Sequence, residues 1–357
     1  MTIPRPPFAT VAAIAAAPIL LLSGFAWAAG WIGPPRIGGG TIASAIEANA
    51  GRHEGYRRAH AKGVCFTGYF EASGGAGALS RTPLLRSGRH AAIGRFSTGG
   101  GNPFATDGRN VFRAMALQLT GPDGEIWRLA MDHTPIFPVA TPEAFVALQR
   151  ASRPDPATGK PDPAAMKAYL ARHPETRAYQ DYIAAAPLPD SFANSTYYSI
   201  NAFRFIDDAG ASHAVRWAFE PEAAFGALDK AKLAELPTDH LFTDLGARLA
   251  KGPLRWRMTV TVAAPGDATN DATILWPADR QKLQAGTLTI TAAEPEERGA
   301  CRDITFDPTI LPDGVALSDD PLLPARSAAY SSSFQRRALE APGPSAVGKT
   351  LAAKEAR

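Results

Sequence analysis

A chain of 357 residues with 45 % hydrophobic and 20 % charged side chains carries enough apolar material for a sizeable core, which excludes wholesale disorder. A net charge of +3 supplies no basic field for a nucleic-acid partner. Thirty-two glycines and 31 prolines put much of the chain into irregular connections.

Arg5 is the only charge before Arg36, and residues 8–33, FATVAAIAAAPILLLSGFAWAAGWIG, are almost wholly apolar. A helix of roughly 20 such residues spans a bilayer, and the run also contains the small-x-small pattern Ala26-Trp27-Ala28 of a cleavage site. Residues 1–35 are therefore expected to be a retained single-span signal anchor or, alternatively, a cleaved signal peptide. Either way the body is exported, held at the inner membrane with its domain in the periplasm or released there as a soluble protein.

Residues 36–340 read as one domain and 341–357 as a flexible tail. Residues 40–62 have a helical look, after which the period changes to two at Val64, Phe66, Gly68 and Phe70. Further strands are expected at 91–98, 111–120, 125–131, 197–206, 213–220, 254–263 and 286–292, with helices at 142–185 and a helical pair at 221–251. The stretch 254–263 sets Leu254, Trp256, Met258, Val260 and Val262 on one face, against Arg255, Arg257, Thr259 and Thr261 on the other. Ser318, Asp319, Asp320 and Pro321 open a last helix over 319–338. About eight strands with helices between runs of them give an α+β domain with an antiparallel sheet; its closure into a barrel is not readable from these patterns.

Several chemistries drop out. Gly343, Gly348, Lys349 and Thr350 have phosphate-loop spacing, but they follow Ala-Pro-Gly-Pro, with no strand before them, and stop near the terminus. The seven histidines and two cysteines show neither HExxH nor CxxC, and no GxSxG elbow is present. Cys65 and Cys301 read as two buried small hydrophobes, although export would permit a disulfide.

What remains is Arg57, His60, Arg95, Ser97, Arg326, Tyr330 and Arg337. On a helix Arg326, Tyr330 and Arg337 fall within about 60° of one another, so two guanidiniums flank a phenol. A free phenol with a pKa near 10 is held as phenolate at neutral pH only by roughly 4 kcal/mol of help, which an arginine together with a ferric iron supplies. Taken alone, this spacing more often marks an amphipathic helix with solvated arginines.

Together these stretches resemble the haem catalases, and more closely their short relatives, the catalase-related peroxidases. The stretches are Arg57-Arg58-Ala59-His60-Ala61-Lys62-Gly63, Arg95-Phe96-Ser97-Thr98, Thr134-Pro135-Ile136-Phe137 with Phe145 eight residues on, and Arg326-x-x-x-Tyr330 followed by Arg337. NAFRFIDDAG (201–210) and FTDLGARLAKGPLRW (242–256) look like the short relatives. The resemblance covers roughly residues 50–338. It implies a catalase-type β-barrel of about eight strands, with a haem b pocket between barrel and C-terminal helix. It makes His60 the distal acid–base group and Ser97 the holder of its ring. Tyr330 is then the iron ligand, with Arg326 stabilising its phenolate. Arg57, Arg95, Arg337 and Phe145 are haem-binding residues, Arg95 and Arg337 reaching the propionates and Phe145 stacking on the ring.

Where the large catalases have an asparagine pair before Thr-Pro, this chain has Asp132-His133. A carboxylate cannot donate the amide hydrogen bond that orients peroxide, whereas a protonated or water-bridged one can relay a proton. The resemblance thus implies a peroxidase that reduces hydrogen peroxide or organic hydroperoxides with a small organic donor, with weak dismutation. The short length implies a more open haem and a low oligomeric state, a homodimer. Two alternatives are an exported, non-catalytic haem- or lipid-binding module and a hydroperoxide-rearranging haem enzyme of the allene-oxide-forming type. His53, His90, His173, His213 and His240 receive no role.

Overall fold

The computed structural model describes Ala16, residues 18–26 and residues 37–347. The chain divides into two units, 1–38 and 39–357. In the first, residues 18–26 are helical. Most of the expected anchor lies outside the described residues, and among those described no helix is long and apolar enough to cross a membrane.

Ten strands of the second unit form one antiparallel sheet: β1 (Gly63–Ala72), β2 (Arg89–Thr98), β3 (Arg113–Thr120), β4 (Ile126–Asp132), β5 (Tyr197–Tyr198), β6 (Phe203–Ile206), β7 (Ser212–Pro221), β8 (Leu254–Val262), β9 (Lys282–Pro295) and β10 (Val315–Leu317). Their order is β10-β6-β7-β5-β4-β3-β2-β1-β9-β8, and a further pairing of β7 with β8 closes the sheet. Since β5 and β6 share one edge of β7, the closed ring has eight strand positions, and β10 extends β6 outside it. Closure removes the exposed edges an open sheet would present.

The period-two pattern decides which side is core. Phe66, Phe96, Met115, Leu117, Trp127, Leu129, Trp217, Trp256, Met258 and Leu288 point inward and are buried. Phe96 sits among Phe66, Phe192, Tyr197 and Trp256, with ring centroids 4.8–5.8 Å away. In β8 Trp256, Met258 and Val260 are core while Arg255 and Arg257 are exposed, as the alternation requires.

Among the described residues six α-helices accompany the barrel: α1 (Gly39–Ala50), α2 (Pro142–Ala151), α3 (Pro163–Arg172), α4 (Thr176–Ala185), α5 (His240–Leu249) and α6 (Leu322–Ala338). Helices α2 and α3 start at a proline, and the side chains of Thr141 and Asp162 accept from the first-turn amides. Asp320 Oδ1 does the same for α6, accepting from the Leu322 amide at 2.9 Å.

The structure corrects the sequence reading at four places. The helix expected over 40–62 ends at Ala50, because Gly51 takes φ +82° and the chain then runs irregularly to Gly63. The single strand expected over 197–206 is broken into β5 and β6 at Ile200, whose φ is +64°. Cys65 and Cys301 are buried as expected, but they are also bonded to each other. The tail is docked as far as Val347, which is buried against the core: Tyr56 donates to the Pro344 carbonyl at 2.7 Å. Residues 348–357 lie outside the described part.

Candidate active site

The site lies on the outer face of the barrel. In register across β2, β3 and β4 stand Ser97, Ala114 and Asp132; one pleat further on stand Arg95, Ala116 and Ala130. All six point away from the core, so three alanines make a shallow floor with a polar group at each end of one row. Two strand spacings, about 10 Å, separate the Ser97 and Asp132 ends. The C-terminal helix is tied to this floor, Arg326 Nη2 donating to the Ala130 carbonyl at 3.2 Å.

His60 stands at the Ser97 end. Its φ of +54° is a left-handed backbone that costs a non-glycine residue roughly 1–2 kcal/mol, so its surroundings must impose it. Arg95 Nη1 donates to the His60 carbonyl at 2.7 Å and Nη2 to the Ala61 carbonyl at 3.2 Å. Lys62, two residues on and buried, donates to Asp107 Oδ1 at 2.7 Å and to the carbonyls of Ala105 and Thr238 at 2.9 Å. A Cβ at Gly63 would lie 2.3 Å from the Arg95 guanidinium carbon, so any larger residue there displaces Arg95 from the carbonyls it holds. The imidazole Nδ1 is 3.4 Å from Ser97 Oγ, and the ring centroid lies 5.7 Å from that of Phe112. Burial, then the charges of Arg95, Arg326 and Arg57, push His60 down to about 4, so the ring is neutral at physiological pH.

Across the floor, Tyr330 stands one turn further along α6 from Arg326, close enough for its hydroxyl to help hold the guanidinium charged. The guanidinium is aimed by Asn201, whose Oδ1 accepts from Nη1 and whose Nδ2 donates to Asp320 Oδ2 at 2.7 Å. The break at Ile200 therefore has a use: it turns Asn201 toward α6. Asp320 serves twice, as helix cap and as anchor of this relay.

Arg57, Arg95 and Arg337 gather around Glu296. Arg57 Nε donates to Glu296 Oε1 at 2.9 Å, and its Nη atoms donate to the carbonyls of Cys301, Arg302 and Ile304. Arg95 Nε and Nη2 donate to Glu296 Oε2 at 3.0 and 2.7 Å. Burial would raise Glu296, but Arg95 and Arg57 outweigh it and hold the carboxyl down at about 2. Three guanidiniums thus share the Glu296 carboxylate. Arg57 and Arg95 are each largely used up by protein acceptors, with one N–H of five to spare. Arg337 donates to the Arg302 carbonyl alone among the described acceptors. The Cys65–Cys301 bond ties to β1 the loop whose carbonyls hold Arg57 and Arg337.

Asp132 is buried, and no side-chain partner reaches it among the described residues. Burial raises its carboxyl to about 7, against the opposing pull of Arg326. Tyr179 of α4 is near enough for burial and the Asp132 charge to raise its phenol. Phe145 lies against Phe137, rings 6.2 Å apart and 11° from parallel, in a cluster with Val139, Ile200 and Leu322 at the foot of α6.

The fold thus brings together His60, Ser97, Asp132 and Arg326 around one floor, with Tyr330 beside Arg326; Arg57, Arg95 and Arg337 gather around Glu296, and Phe145 lies in the cluster at the foot of α6. Arg95 also holds the His60 segment and Glu296, a positioning role that the resemblance did not suggest. Sequence reasoning missed Glu296 and the alanine floor, whose trace is the alternation Ala114-Met115-Ala116-Leu117, and it named Asp320 only as a helix-opening residue and Asn201 only within NAFRFIDDAG, without their link to Arg326.

The family model described as Catalase matches residues 52–341. The chain belongs to the catalase family. It is 40 % identical over 296 residues to a catalase-related peroxidase of Synechococcus elongatus, covering 83 % of this chain and 87 % of that one. It is 34 % identical over 294 residues to a catalase-related peroxidase of Mycolicibacterium paratuberculosis, covering 82 % and 92 %. A fungal catalase structure superposes with a TM-score of 0.72 at 20 % identity, over 84 % of this chain and 62 % of that chain, which shows the shared fold. This catalase-family chain thus spans about three fifths of such full-length structures and most of the short relatives.

Proposed function

We propose that this catalase-family protein is a haem peroxidase, reducing hydrogen peroxide or an organic hydroperoxide with electrons from an organic donor and releasing little oxygen. One observation carries the reading: a floor of small side chains bounded by a neutral, held imidazole, with the C-terminal helix tied to it through Arg326 and carrying a phenol one turn further on. The donor set fits haem b. Tyr330 would hold the iron, with Arg326 beside it to stabilise its oxygen, and Arg337 would offer a propionate the donors it does not use on the Arg302 carbonyl.

When bound, the haem supplies an iron centre at which the peroxide O–O bond is cleaved and two electrons are accepted from donors. The remaining work falls to the side chains. His60, neutral and turned by Ser97, takes the proton from the peroxide oxygen and returns it to the departing one, so that water or an alcohol leaves. Positioned transfer of this kind is worth ~10²–10⁴ in rate. Asp132, neutral below about pH 7, donates a hydrogen bond where a carboxylate would only accept. The Cys65–Cys301 bond supports export, since disulfides persist in oxidising compartments.

The test is to supply peroxide to the purified, haem-loaded protein while recording oxidation of a phenolic dye and oxygen release together. Dye oxidation is expected to take most of the peroxide. Oxygen release at the level of a true catalase contradicts the reading.

A further inference from the structure

Beside the Asp132 end of the floor lies a cavity of about 350 Å³ that none of the chemistry above uses. Tyr182, Tyr198, Phe225, His133, Leu188 and Lys230 line it. Three connections join it to the active site. Tyr198 is the register partner of Asp132 across β4 and β5. His133, the residue after Asp132, meets Phe112 edge-on at 5.5 Å, and Phe112 in turn lies 5.7 Å from His60. Tyr182 stands one turn along α4 from Tyr179, which feels the Asp132 charge. Two aromatic rings in contact, His133 on the cavity wall and Phe112 behind it, therefore connect the cavity to the distal histidine.

We propose that this cavity binds the organic donor, and that the donor is a small, neutral, planar phenol; the proposal rests on the peroxidase reading above. The walls give the class. Two tyrosine rings, a histidine and a phenylalanine suit a flat aromatic guest, and Phe225, 58 % exposed at the edge, is an apolar lip. The walls carry almost no charge: burial raises the Tyr182 and Tyr198 phenols and lowers His133 to about 3, so all three are neutral at physiological pH. Lys230 is already committed to the carbonyls of Ile183 and Ala184, both at 2.9 Å. Asn194 Oδ1 accepts the Ser191 amide at 3.2 Å and has a second lone pair for a phenolic hydroxyl. The overall step balances with two phenols per peroxide. Each phenol loses one electron and one proton to become a phenoxyl radical, and hydrogen peroxide takes both electrons and both protons to leave as two waters.

The test compares two donors on the haem-loaded protein: 2-methoxyphenol, which fits the cavity, and ferrocyanide, a highly charged ion that does not. Ala184→Trp fills the cavity from α4 and is expected to raise the KM for 2-methoxyphenol at least tenfold while the ferrocyanide rate stays within twofold. Phe225→Ala, at the exposed lip, cannot upset the core and is expected to raise the same KM about threefold. An unchanged KM in both variants overturns the proposal. So does a parallel loss with both donors, or a selective loss of cumene hydroperoxide consumption, which would make the cavity a peroxide site. If the wild-type protein oxidises neither donor, the peroxidase reading itself has failed, a result distinct from all of these.

Discussion

Replacing His60 by alanine is expected to lower peroxide-driven donor oxidation by ~10²–10⁴, the range for loss of a positioned proton-transfer group. The haem should remain bound, because Tyr330, Arg326 and Arg337 are on the other element and untouched. The size of the effect follows from the setting. The imidazole is held neutral by burial and three arginine charges, so nearly every molecule carries a competent base above about pH 5. Ser97→Ala removes only the contact at Nδ1 and should slow turnover about tenfold, the worth of one hydrogen bond of ~1–1.5 kcal/mol. Stopped-flow mixing with hydrogen peroxide checks both. Normal rates in the alanine variant would remove His60 from the chemistry.

Asp132→Asn is the second large expectation, and it acts through pH. In the wild-type protein kcat/KM for peroxide should rise with pH through about 4, as His60 loses its proton and becomes a base. It should fall again through about 7, as the Asp132 carboxyl loses the proton it donates. Burial raised this carboxyl, so the neutral form persists in the folded protein up to that pH and disappears above it. Asparagine donates at every pH. The variant should therefore keep the acid limb, lose the alkaline one, and release oxygen about tenfold faster at pH 8, a gain equal to one recovered hydrogen bond. An alkaline limb that survives the substitution would assign it to another group.

Local pattern carried much of this fold. The alternation in 254–263 identifies both faces of β8, and the order of arginine, histidine, serine and tyrosine motifs anticipates which side chains meet. Barrel closure was not legible, because it depends on the pairing of Val215 with Val262 and its neighbours, which no local period encodes. The segment from Gly51 to Lys62 looked helical by composition, yet its form is imposed from outside by Arg95, Glu340 and Asp107. Ile200 is β-branched and rarely left-handed, so nothing in its neighbourhood announces the break that aims Asn201. Glu296 lies more than 200 residues from both arginines it pairs with, so no local pattern announces the pairing.

The central claim is an iron porphyrin held by Tyr330 opposite His60. Its most direct measurement is a titration of the purified protein with haemin, followed by absorption and repeated on Tyr330→Phe. One haem per chain with the spectrum of a high-spin, phenolate-bound ferric iron is expected for the wild-type protein, with that spectrum absent from the variant. A wild-type chain that takes up no haem, or a variant whose spectrum is unchanged, would contradict it.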